Sequence, residues 1–213
     1  VNIVLADEIN RTPPKTQSAL LEAMQEKSVT VAGKRYTLGN PFFFFFSQNP
    51  IEQEGTYSLP EAQLDRFMFS VWLDYPSFQE ELAIVKSTTQ DNKPKLNKIL
   101  NAEEILFYQD LVRKIPVPDN VMEYAVKLVV KTRPNSDMAP QLVKDYLSWG
   151  AGPRASQNLV IGAKCHAMIK GKYSPDIDDV KAVALSVLRH RIVRNYKAEA
   201  DGYSVEKIIE ALL

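Results

Sequence analysis

Two adjacent carboxylates, Asp7 and Glu8, close an apolar run that begins Val1-Asn2-Ile3-Val4-Leu5-Ala6. A short β-branched run of this kind reads as a strand of a parallel sheet, buried on both faces. Two acids cannot share that core, so they fall at the strand's carboxyl end, where open α/β sheets place their ligands. Chemistry on a magnesium–nucleotide complex needs one acid to hold the metal, directly or through its waters, and a second to orient or deprotonate an attacking water. Asp7 and Glu8 suit those two tasks. The alternative is a strand end polarised before a loop, with no chemistry. A third polar residue, Asn49, follows the run Phe42 to Phe46 in Ser47-Gln48-Asn49-Pro50. It ends its strand as the two acids end theirs, which puts its amide on the same sheet edge. An Asn-Pro turn accounts for Asn49 without chemistry.

Two arginines stand out further along. Arg66 lies in Pro60-Glu61-Ala62-Gln63-Leu64-Asp65-Arg66-Phe67, a short helix expected to lead into a strand from Met68 to Leu73. Its rigid guanidinium fork suits phosphate, so Arg66→Lys is not a conservative change. The plain alternative is an Asp65/Arg66 surface pair of little value. Arg154 falls near the start of a helix opened by Gly150-Ala151-Gly152-Pro153, where the helix dipole disfavours a cation unless an anion is near. It reads either as an anion sensor or as a solvated first-turn residue.

The elements that must position these residues follow from pattern. Thr12 as N-cap and Pro13 at the first helical position open a helix to about Lys27, with Ala19, Leu20, Ala23 and Met24 at helical spacing. Ser28-Val29-Thr30-Val31 and Arg35-Tyr36-Thr37-Leu38 flank Ala32-Gly33-Lys34 and read as a β-hairpin. The five phenylalanines read as a fully buried strand, an aggregation hazard if exposed. Ile51 to Leu59 reads as a loop. Beyond Asp74-Tyr75-Pro76-Ser77 the strand signals cease, and helices are expected at about 78–88, 102–114, 119–132 and 139–147, with a loop over 90–97. Later helices open at Pro153, at Ser174-Pro175-Asp176 and at Ser204. The expected division is residues 1–75, the end of an α/β core, and 76–213, an all-helical domain.

The chain has 213 residues, 45% hydrophobic and 24% charged, a globular composition. Its 26 basic and 26 acidic residues cancel, which gives no general footprint for nucleic acid or an anionic membrane. One cysteine, Cys165, allows no intrachain disulfide. With His166 it lacks further ligands at zinc spacing. No apolar run approaches the roughly 18 residues of a membrane span. The first residue is not Met, no G-x-x-x-x-G-K-[ST] occurs, and the start has the look of a truncation.

The stretches LADEINRTPPKTQSALLEAMQEKSVTV and SQNPIEQEGTYSLPEAQLDRF closely resemble the MoxR family of AAA+ ATPases. The resemblance implies an α/β P-loop NTPase core in three layers, incomplete at its N-terminus, followed by a helical lid. The strand that carries the phosphate loop would lie between strands retained here, and its removal would leave a gap in the sheet. The resemblance further implies ATP and Mg²⁺, with Asp7 on the metal and Glu8 activating water. Asn49 would be sensor 1, Arg66 the arginine finger given to a neighbouring subunit, and Arg154 sensor 2, in cis or in trans. The hairpin would face the pore of a hexameric ring, with Lys34, Arg35 and Tyr36 meeting a partner. The Leu188-Arg189-His190-Arg191 ending also matches, and these residues read as structural or interfacial. The implied work is chaperone-like remodelling or maturation of a partner, often one with a von Willebrand A domain or a metal cofactor, in a bacterial cytoplasm. Two other readings stand beside it: a non-hydrolysing assembly module without a phosphate loop, and a magnesium-chelatase-like motor.

Overall fold

The computed structural model describes residues 2–49, 56–91 and 95–213. The expected loops at 51–59 and 90–97 therefore fall partly outside the described residues. Strand β1 (Ile3–Ala6) pairs in parallel with β4 (Phe43–Phe46), Ile3 opposite Phe43 and Ala6 opposite Phe46. The crossover between them holds helix α1 (Pro14–Glu26) and the hairpin β2 (Ser28–Val31)–β3 (Lys34–Thr37). Ala32 and Gly33 both have positive φ, 50° and 77°, the two-residue turn whose twist matches that of the strands.

Helix α1 starts one residue later than expected. Pro13 is its N-cap, and the Thr12 hydroxyl turns back to the Ile9 carbonyl, 2.5 Å away. Neither strand is buried on both faces. Ile3, Leu5 and Phe45 are 60, 65 and 53% exposed, whereas Ala6 and Phe46 pack against the buried Ile9, Leu21 and Leu59. The reason is the two-residue period of a strand: only one face meets α1 and the following turn. The phenylalanine run shows this directly, since Phe42, Phe44, Phe46 and then Phe67 form a chain of ring contacts with centroids 4.4–6.2 Å apart.

Helix α2 (Glu61–Leu64) forms as expected, but the strand expected at 68–73 does not. Its backbone is used elsewhere: Ser70 N–H donates to Ser186 O at 2.8 Å, and Val71, Trp72 and Leu73 are 73, 65 and 89% exposed. Helices α3 (Phe78–Thr88) and α4 (Ala102–Lys114) each open with a reciprocal capping box, Ser77 with Glu80 and Asn101 with Glu104.

The main core lies among α5 (Asp119–Lys131), α6 (Gln141–Tyr146), α7 (Pro153–Ile169), α8 (Ile177–Leu188) and α10 (Val205–Glu210). Small residues let α7 and α8 approach: Ala163, Ala167 and Ala184 are fully buried, and Gly162 leaves room for Val183. Helix α8 is capped by Asp176, not Ser174, whose hydroxyl instead donates to Pro116 O. The helical half is not wholly helical. Strand β5 (Leu147–Trp149) pairs antiparallel with β6 (Val193–Arg194), and a short α9 (Tyr196–Ala200) follows. A Cβ on Gly150 would lie 2.3 Å from Thr132 O, so only glycine lets the chain pass here. Thr132 Oγ1 then accepts the Ala151 N–H at 2.9 Å and Arg133 Nε donates to Ala151 O at 3.0 Å, which fastens the entry to α7 onto the end of α5.

Candidate functional site

The carboxyl ends of β1 and β4 lie side by side, and the hydrogen bonds beyond them assemble a small polar site. Ser47 N–H donates to Ala6 O and Ile9 N–H to Ser47 O, both at 3.1 Å, so the two strand ends remain in register past the ladder. The Ser47 hydroxyl donates to Asp7 Oδ1 and accepts the Glu8 N–H at 2.8 Å. Asn49 Nδ2 donates to Glu8 Oε1 at 3.4 Å, and Arg11 Nε lies 3.0 Å from Glu8 Oε2. Asn10 Nδ2 donates to Asn49 O at 3.2 Å, which ties the two loops together; Asn10 Oδ1 is buried without a partner among the described residues.

Glu8 holds a left-handed backbone, φ 47°, ψ 49°, a conformation that costs a non-glycine residue about 1–2 kcal/mol. At the loop edge Ser47 braces the Asp7 carboxylate and the Glu8 backbone, while Asn49 and Arg11 hold the Glu8 carboxylate. Asp7, Glu8 and Asn49 are thus brought together as expected. Ser47 and Asn10 were not singled out by type or spacing, because a serine after an apolar run is a common loop residue. The donor set of two carboxylates, a hydroxyl and an amide is all hard oxygen and nitrogen, which suits Mg²⁺ sharing its shell with phosphates and water. Among the described residues no cluster of three or more His, Cys, Asp or Glu could hold a metal by itself.

The arginines are placed elsewhere. Arg66 is exposed and makes no side-chain hydrogen bond or ion pair among the described residues. The Asp65/Arg66 pair does not form: Asp65 binds Arg154 Nη1 at 2.5 Å and Arg191 Nε at 2.9 Å. Arg191 is buried, and burial draws its pKa down while Asp65 opposes the shift. His190 Nε2 meets Phe67 O at 3.1 Å. In the hairpin, Lys34 lies 5.3 Å over the Tyr36 ring, while Arg35 is turned back to Ser28 Oγ at 2.9 Å and Glu26 at 3.5 Å.

A fully buried Asp179 and a half-buried His190 make stability depend on pH. Burial, with the Arg191 charge beside it, lowers the pKa of His190 from 6.5 to about 4. The unfolded chain therefore takes up this proton first, and stability falls as pH drops from about 6.5 to about 4, by at most about 3 kcal/mol. Asp179 is pushed up by burial, but the Asp176 N–H, His166 and Lys172 together outweigh this and hold it at about 2. Its contribution is complete above its ordinary value of 3.8 and is lost as pH falls toward 2. Urea midpoints measured from pH 7 to 2 are expected to fall in two stages, and His190→Gln to flatten the upper one.

Comparison with known proteins follows the same lines. Residues 1–69 match the family model described as ATPase family associated with various cellular activities (AAA), and residues 139–212 match the AAA lid domain. The whole chain aligns with the Chaperone MoxR1 of Mycobacterium tuberculosis at 40% identity over 212 residues, 56% of that protein. The chain belongs to the MoxR family of AAA+ ATPases. It is 42% identical over 214 residues to YeaC of Bacillus subtilis, a protein without an assigned function, and covers 64% of it. A crystal structure from Cytophaga hutchinsonii, named only as a candidate ATPase, superposes with a TM-score of 0.92 at 40% identity over 99% of this chain and 64% of its own. The chain thus spans under two thirds of the length of each of these relatives. Its fold is that of an AAA+ α/β core with a helical lid. No helix among the described residues is long and apolar enough to cross a membrane.

Proposed function

We propose that this chain supplies the catalytic acids and the lid of a MoxR-like ATPase that couples ATP hydrolysis to remodelling of a protein partner. The observation that carries the reading is the joint geometry of Asp7, Glu8, Ser47 and Asn49 at two adjacent strand ends. Asp7, oriented by Ser47, would hold Mg²⁺; the metal supplies positive charge shared with the nucleotide's phosphates. Glu8 accepts a proton from water, and Asn49, 3.4 Å from its Oε1, orients that water by donating or accepting a hydrogen bond. Arg66, with no side-chain partner among the described residues, is available to a phosphate in a neighbouring subunit, and Arg154 reads the γ-phosphate from the lid.

The core ends near residue 75 in this reading, the lid takes 76–213, and the assembly is a homo-oligomeric ring, hexameric by family resemblance, in the bacterial cytoplasm. The likeness to a relative named as a chaperone supports a protein client, with a von Willebrand A domain as the chemical type to test first. Lys34 and Tyr36 are the hairpin side chains left to meet it, since Arg35 is engaged by Ser28 and Glu26.

The test is Mg-ATP turnover by a protein carrying these 213 residues behind a strand, a G-x-x-x-x-G-K-[ST] loop and a helix, beside the 213-residue chain alone. Turnover by the longer protein only is the expected result. Assembly of the longer protein without turnover overturns the reading in favour of a non-hydrolysing module.

A further inference from the structure

Asp65 ends α2 and faces two arginines that come from the lid, 89 and 126 residues away in sequence. The two are held very differently. Arg191 has a side chain only 1% exposed, and its Nε donates to Asp65 Oδ1 at 2.9 Å. Its Nη2 donates to Asp65 O at 2.8 Å and to Phe67 O, and its Nη1 to Met68 O at 3.4 Å and to Val187 O. A guanidinium with its donors spread over one carboxylate oxygen and four carbonyls cannot swing away. Arg154 is 42% exposed, and the bond to Asp65 Oδ2 is its one side-chain hydrogen bond among the described residues.

Arg154 stands in the first turn of α7, which carries no acidic residue of its own. A cation at a helix N-terminus is unfavourable unless an anion faces it, and Asp65 is that anion. An anion that takes the Arg154 Nη1 donor must therefore displace Asp65 Oδ2. Asp65 and Arg191, with Glu61, Trp149 and Gly152, line an open cavity of about 280 Å³; Arg154 reaches Asp65 from outside that lining, on the exposed side.

We propose that Asp65 is a counter-ion switch for Arg154. One oxygen is fixed by Arg191, and the other holds Arg154 in reserve until a phosphate competes for it. This rests on Arg154 reading the γ-phosphate. Asp65 is then a positioning residue, and it sets how readily the lid responds to a triphosphate. Because only the released fraction of Arg154 can bind phosphate, the apparent affinity for a triphosphate is lowered by that fraction.

Asp65→Asn separates the two halves. The Asn oxygen still accepts from Arg191, whereas the NH₂ that replaces Oδ2 repels Arg154. In the full-length protein, calorimetric titration with a β,γ-imido ATP analogue is expected to show binding tightened about two- to fivefold, the range for a partly exposed ion pair. ADP binding is expected to stay within about twofold, since it offers no γ-phosphate. Asp65→Glu keeps the charge and is expected to keep the wild-type ratio of analogue to ADP affinity. Arg154→Gln is expected to weaken the analogue alone and to cancel the effect of Asp65→Asn in the double variant. If Arg154→Gln lowers the ratio and Asp65→Asn does not raise it, the switch is wrong. If Arg154→Gln leaves the ratio unchanged, the sensing role itself is wrong. Where Asp65→Asn does not fold, the wild-type protein decides through its arginine side-chain NMR signals: the analogue, and not ADP, is expected to move the Arg154 resonance and leave that of Arg191 in place. An unmoved Arg154 resonance overturns the switch.

Discussion

Glu8→Gln is expected to lower Mg-ATP turnover of the full-length protein by at least about 100-fold, the usual worth of a positioned general base. The substitution also removes the carboxylate that faces Arg11 Nε at 3.0 Å, a partly exposed pair worth less than about 1 kcal/mol. Gln is isosteric, its oxygen can still accept from Asn49 Nδ2, and the Ser47 bond to the backbone N–H of residue 8 does not involve the side chain. The left-handed backbone at position 8 is no harder for Gln than for Glu, so the loop keeps its shape. What disappears is the ability to take a proton from water. Nucleotide affinity, measured by calorimetry, is expected to stay within about threefold, so that the loss lies in kcat. Phosphate release at saturating Mg-ATP is the readout. Turnover within tenfold of wild type would mean that another group activates the water, and Asp7 would be examined next.

The second large effect is on stability. Arg191→Leu is expected to cost about 2–4 kcal/mol and to lower the thermal midpoint by about 10 °C for a chain of this size. The cost comes mainly from the buried carbonyls it leaves without a donor, since Asp65 is 30% exposed and keeps Arg154. The guanidinium bridges the turn after α2 to the end of α8, joining Asp65, Phe67 and Met68 to Val187. A leucine fills much of the volume but leaves several carbonyls without a donor. Lysine is not expected to rescue it, because a single ammonium cannot span acceptors set out for a planar fork. Arg154→Gln is the control: its pair with Asp65 is partly exposed, so less than about 1 kcal/mol is expected to be lost. Thermal unfolding followed by circular dichroism separates the two. Equal shifts for Arg191→Leu and Arg154→Gln would show that the bridge does not hold core to lid.

Much of the core and lid was legible because short-range rules govern it. The bounds of α3 and α4 follow from helical spacing, which depends on residues three or four apart; the capping boxes at Ser77 and Asn101 emerge only in the structure. The Ala32-Gly33 turn depends on two residues that tolerate or favour positive φ. Where the reading of strands failed, the cause was neighbours that composition cannot supply. An apolar run says nothing of how many faces will be covered, so Leu5 and Phe45 read as interior and yet stand exposed. The run from Met68 to Leu73 had strand-like residues, yet the backbone there bonds to Ser186 and Arg191.

The site divides in the same way. Sequence alone placed two acids after one apolar run and an amide after another at one sheet edge, because parallel strands of similar length end side by side. It also determined that Arg154 opens a helix and so wants an anion. Tertiary structure decided which partners these groups received. Ser47 reaches Asp7 across 40 residues, and Asp65 meets Arg154 across 89 and Arg191 across 126. Those contacts exist only because β4 returns beside β1 and because α7 and α8 close against the turn after α2. No spacing along the chain encodes a distance set by packing of the whole.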